Sequence, residues 1–147
     1  MFDGKFSYLY ILLSALAACG GEAFKPMPYE LNDGARVRVD VPAGPYSAGA
    51  RIPLTVHNEW DEEYVWNPCF RSLERRQGST WFGVDESDRV CTAEGWILEP
   101  GRRTNATTDI PESVQAGEYR FLYGFSRLEG DRYVEDNQVS NSFIVTP

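Results

Sequence analysis

Histidine is almost missing from this chain of 147 residues: His57 is the only one. That disfavours enzymes built on histidine pairs and metal centres built on imidazole ligands. Cysteine is scarce too, at Cys19, Cys69 and Cys91, with no two close enough in sequence for a zinc or dithiol motif. Positive charge is short, with 14 Lys and Arg against 22 Asp and Glu and a formal net charge of -8. Such a field opposes a phosphate backbone, so nucleic acid is excluded as a partner. No motif for a cofactor is present, and none is expected. The longest uncharged and mainly apolar run, Phe6 to Ala18, has 13 residues, against the ~20 that a membrane-spanning helix needs.

That run has the length of a signal-peptide core, with Lys5 before it and small residues after it. Leu16-Ala17-Ala18-Cys19-Gly20 resembles the lipobox of bacterial lipoproteins. The resemblance implies a leader over residues 1–18, cut before Cys19, and acyl chains on Cys19 that hold the chain in a membrane, since burial is worth ~0.8 kcal/mol per CH₂. It places the protein in the cell envelope. Gly20 rather than Asp after the cysteine favours the outer membrane if the cell is Gram-negative. Cys69 and Cys91 then remain in a compartment that permits disulfides. A bridge between them is the simpler outcome, and two buried thiols the other.

Residues 19–34 contain Gly20, Gly21, Pro26, Pro28 and Gly34 without periodicity, and read as a tether. From residue 35 to 147 the period becomes two. Val37, Val39 and Val41 alternate with Arg36, Arg38 and Asp40, and Ile52, Leu54 and Val56 alternate with Arg51, Pro53 and Thr55. Further strands are predicted at 64–66, 70–74, 80–84, 96–98, 104–110, 119–125 and 139–145, separated by turns such as Glu99-Pro100-Gly101 and Glu129-Gly130-Asp131. No stretch of 12 residues has a helical period. The expectation is one all-β domain, an antiparallel sandwich of about seven to nine strands.

The succession Tyr46-Ser47-Ala48-Gly49, Ile52 to Asn58, Leu98-Glu99-Pro100-Gly101 and Ala116-Gly117-Glu118-Tyr119 is similar to bacterial immunoglobulin-like domains, and more distantly to intracellular proteinase inhibitors built on such a sandwich. The resemblance implies an Ig-like fold and a tyrosine corner at Tyr119, whose hydroxyl would bond a backbone group just upstream. The cysteines depart from the antibody pattern, which bridges the second and sixth strands: Cys69 and Cys91 lie mid-chain, so a bridge between them would tie the C-strand region to the D or E region.

Candidate site residues follow from chemistry and position. Alternation puts His57 on the face opposite the core, with no orienting carboxylate or nucleophile nearby in sequence, so no catalytic residue is assigned. Trp60, Tyr64 and Trp66 lie around the acidic turn Asp61-Glu62-Glu63 and are the expected contact for a protein or glycan partner, because exposed aromatics anchor partners at low entropic cost. Trp81 and Trp96 read as core. Calcium prefers several oxygen ligands. Asp85, Glu86 and Asp88 lead the candidates, ahead of residues 61–63 and 135–137, although none fits an EF-hand loop. Arg71, Arg75 and Arg76 read as a solvated strand end.

The combined expectation is a non-enzymatic envelope lipoprotein whose Ig-like domain serves recognition or scaffolding. The rival readings are an inhibitor of an envelope or secreted protease and a carbohydrate-binding module.

Overall fold

The computed structural model describes residues 36–147. The expected leader, tether and lipidated Cys19 lie outside the described residues. Eleven strands and no helix fill the described part.

One layer has three antiparallel strands: β1 (Val37–Asp40), β3 (Arg51–Asn58) and β8 (Arg103–Asp109), in the order β1-β3-β8. Val39 pairs with Val56, and Leu54 with Ala106. The alternation legible in the sequence is obeyed, with Ile52, Leu54 and Val56 buried. His57 points away from them and meets Asp40 at 3.1 Å.

The second layer is organised on β9 (Gly117–Glu129). Along one side of β9 lie β11 (Phe143–Thr146) and then β10 (Arg132–Val139). Along the other lie β5 (Arg71–Gln77) and then β4 (Tyr64–Trp66), both antiparallel to it. Strand β2 (Tyr46–Ser47) runs parallel to β11, while β6 (Thr80–Gly83) flanks β5 and β7 (Trp96–Leu98) flanks β4. Thus β4 and β5 are two halves of one strand position broken at residues 67–70, and β6 and β7 are two halves of the sheet edge beside it.

These breaks raise the strand number to eleven. The strand expected at 139–145 divides in the same way. Asn141 turns out of the ladder and holds the Val41 backbone, accepting from its N–H at 2.7 Å and donating to its carbonyl at 2.5 Å. Strand β10 was hidden by its polarity. Its Asp136 points inward, where the Tyr64 hydroxyl donates at 2.6 Å and Arg127 lies 3.4 Å away, so a segment of poor strand propensity is held by eight ladder pairs and a buried carboxylate.

The core between the layers is aromatic, with Tyr64, Trp66, Tyr119, Phe121, Tyr123, Phe125 and Phe143 all buried. Phe121 and Phe143 approach to 4.8 Å between ring centroids. The tyrosine corner is present: the Tyr119 hydroxyl donates to the Gln115 carbonyl at 2.7 Å. Tyr119→Phe should therefore lower stability by about 1 kcal/mol in urea unfolding, the cost of one intramolecular hydrogen bond.

Candidate functional site

The two aligned breaks in the second layer create the most differentiated part of the molecule. Residues 67–70 interrupt the inner strand, and residues 84–95 leave the edge between β6 and β7 before rejoining it. Cys69 and Cys91 join the two excursions by a disulfide with a Cα separation of 5.6 Å. The bridge therefore ties the C-strand position to a loop within the edge of the same sheet, rather than to the D or E region. Its 22-residue separation falls in the range where loop closure is worth about 3 kcal/mol. The Cys69→Ser/Cys91→Ser variant should lose about that amount in denaturant unfolding under oxidising conditions.

Beneath the loop lies Arg71. Its side chain is wholly buried, contrary to the solvated strand end expected from sequence. A guanidinium without water needs its donors satisfied. Nε donates to the Thr108 hydroxyl at 2.8 Å, Nη1 to Glu86 at 2.6 Å and Nη2 to the Asp109 carbonyl. The guanidinium carbon stands 4.5 Å over the Phe121 ring. Arg89 adds bonds to Glu86 at 3.3 Å and Thr108 at 3.0 Å. Burial pulls the Arg71 pKa down, and the charge of Glu86 opposes that shift. Glu86 is thus paired with two arginines. Asp85 accepts from the Ser87 N–H at 2.9 Å. Among the described residues no group of three or more His, Cys, Asp or Glu is arranged to hold a metal ion.

Further along the loop, buried Asn67 acts as a clamp. Its Nδ2 donates to the carbonyls of both Thr92 and Glu94, at 2.8 and 2.6 Å, while its Oδ1 accepts from the Cys69 N–H at 2.8 Å. Gly95 lies so close to β4 that a Cβ there would stand 2.8 Å from Val65 Cγ1. Residues 92 to 95 are exposed, and Val90 is 92% exposed, the highest among the large hydrophobics. Phe70, Trp96 and Ile97 add further exposed apolar surface around the same breaks. A groove of about 630 Å³, lined by Asp85, Asp88, Val90, Asp109 and Pro111 among others, runs beside the loop.

The aromatic contact expected from sequence is not assembled. Tyr64 and Trp66 are buried, because the three-residue alternation of β4 turns both inward. Trp60 is half-buried between two guanidiniums, Arg36 at 3.5 Å and Arg127 at 4.8 Å from its ring centroid. Trp81 and Trp96, expected in the core, sit on the edge strands. Trp81 lies under Arg120 at 4.4 Å, and Trp96 is 37% exposed against Trp66. Position in the sheet, rather than residue type, decides these cases. Sequence reasoning also missed Asn67, Arg71 and Thr108, whose roles exist only across sheet breaks.

Two tests follow. Glu86→Ala leaves a buried guanidinium short of its counter-ion and should cost about 3 kcal/mol or more, whereas Arg71→Met/Glu86→Gln should be the more stable variant in urea unfolding. Burial also pushes the Tyr123 hydroxyl from 10.0 up to about 12. A raised pKa stabilises the fold below pH 10 and loses that effect as pH climbs toward 12, a loss of roughly 3 kcal/mol. Unfolding midpoints should fall over that range, and Tyr123→Phe should flatten the fall.

Residues 33–143 match the family model described as the bacterial Ig-like domain, and the chain belongs to that family. Among solved structures, the ASH / PapD-like domain of human CEP192 (PapD-like domain 7) is similar at 10% identity and a TM-score of 0.39, covering 86% of this chain and 95% of that chain. No curated protein matches the chain.

Proposed function

We propose that the protein is a non-enzymatic recognition module of the cell envelope, anchored through acyl chains on Cys19 and presenting its Ig-like domain to a protein partner. The observation that carries the recognition reading is the loop at 84–95. It is largely exposed from residue 92 to 95 yet pinned by a disulfide, an asparagine clamp and a buried ion-pair network, which lowers the entropy lost on binding. The apolar side chains Phe70, Val90, Trp96 and Ile97 surround it, and sandwich domains carry contact surfaces on such excursions. A sugar-binding platform of Trp60, Tyr64 and Trp66 is not supported, since two of the three rings are core.

Mass spectrometry of the protein purified from its native membrane tests the anchor: the expected N-terminus is an acylated Cys19, and an intact Met1 overturns it. A photo-crosslinking residue at Ile97 should capture a partner in intact envelopes that excess purified protein competes away. The same residue at Thr107, exposed on the opposite layer, should capture none. Equal capture at both positions, or none at Ile97, overturns this surface.

A further inference from the structure

We propose that the outer edge of β8 is a self-association surface, on which β8 of a second copy of this chain pairs antiparallel about a two-fold axis at Ala106. The inference is independent of the recognition reading above and concerns the opposite layer.

The first layer has only three strands, and among the described residues nothing pairs with the far side of β8. An unpaired edge is a template for another strand, and proteins ordinarily blunt it with brevity, proline, bulges or inward charge. The other edges are blunted in this way. Strands β2, β6 and β7 have 2, 4 and 3 residues, β10 carries the inward carboxylate of Asp136, and β1 is bridged to Ser140 through Val39. Strand β8 has none of these devices. Its 7 residues run in unbroken register with β3, and between Arg103 and Asp109 come only Thr, Asn and Ala.

Which backbone groups face outward follows from the pairing with β3. The Asn58 N–H donates to the Arg102 carbonyl at 2.9 Å and the Ile110 N–H to the Ala50 carbonyl at 3.0 Å, so the even-numbered residues of β8 bond inward to β3. Pro53, which has no N–H, stands opposite odd-numbered Thr107, in agreement with that parity. Bonding direction alternates along a strand, so the N–H and carbonyl of Arg103, Asn105 and Thr107 face the open edge.

A second β8 meets those groups only in registers that set odd residues opposite odd ones. Of these, the register centred on Ala106 alone sets Arg103 opposite Asp109 of the second copy, and symmetry repeats the pair. Asn105 and Thr107 then exchange both backbone bonds with Thr107 and Asn105 of the second copy, while the small Ala106 faces itself on the axis. Opposite charges directly across strands are favourable. Exposed Arg103 forms no ion pair among the described residues, and exposed Asp109, held by Arg51 through one oxygen at 2.9 Å, retains the other. The Asp109 carbonyl is taken by Arg71, so backbone pairing stops at Thr107 and side chains close the ends. Two three-stranded layers become one continuous antiparallel sheet through an isologous contact.

The test uses the full oxidised chain. Across a non-bonded antiparallel pair the Cα atoms stand ~4.5 Å apart, within disulfide reach, whereas the two Asn105 positions stand about 8 Å apart, beyond it. Ala106→Cys should therefore give a covalent dimer under mild oxidation and Asn105→Cys should not. In sedimentation equilibrium the wild type should show a monomer–dimer equilibrium. Thr107→Pro removes an N–H that β3 does not use and should weaken the dimer on the order of 10-fold or more. Arg103→Glu should weaken it as well, and Arg103→Glu/Asp109→Arg should restore it. A photo-crosslinker at Thr107 joins the chain to its own copy and to no other protein, so this surface and the one at Ile97 fail separately. Folded wild type that stays monomeric at every concentration at which it is soluble, a disulfide through Asn105→Cys in place of Ala106→Cys, or capture of a different protein by Ala106→Cys overturns the proposal.

Discussion

The buried guanidinium of Arg71 is the constraint around which the irregular half of the molecule is arranged. A permanently charged group withdrawn from water is costly unless every donor is met. Its nitrogens are met from two parts of the chain that are distant in sequence, Thr108 and Asp109 in the opposite layer and Glu86 in the edge loop, while its face packs on the Phe121 ring. Satisfying Arg71 therefore couples the two layers and draws residues 84–95 over the sheet.

The disulfide and Asn67 complete what Arg71 begins. The inner strand breaks after Trp66, and the edge strand breaks after Gly83. A break exposes backbone groups that a regular ladder would have paired. Asn67 satisfies several at once, and Cys69–Cys91 stops the two excursions from separating. The result is a loop outside regular secondary structure that is nonetheless fixed at Glu86, Arg89, Cys91, Thr92 and Glu94. Irregularity and rigidity coexist because different groups supply them.

The sandwich was legible where one local rule governs. Alternation in β1 and β3, the tyrosine corner at Tyr119 and the turn at Glu99-Pro100-Gly101 need only near neighbours. Legibility failed where the decisive partner is remote. Nothing local distinguishes Arg71 from Arg76, yet Arg71 is enclosed between layers while Arg76 reaches Glu118 at the surface. Nothing in Arg132 to Gln138 announces a strand, because its inward carboxylate makes sense only beside Tyr64 and Arg127. Trp81 and Trp96 misled for a related reason: residue type favours burial, but both lie on the edge, where one flank has no neighbouring strand.

Placement along the sandwich has a mechanical consequence. The described chain enters at Arg36 and Val37, and Val37 pairs with Asn58 at one end of β3. The Arg71 network meets the first layer at Thr108, which pairs with Ile52 near the other end. Six residues of strand, about 20 Å, separate the entry point from the disulfide-held loop. The sandwich is then a rigid spacer, and its strands hold the disulfide-bridged loop at a fixed stand-off from the end at which the described chain enters.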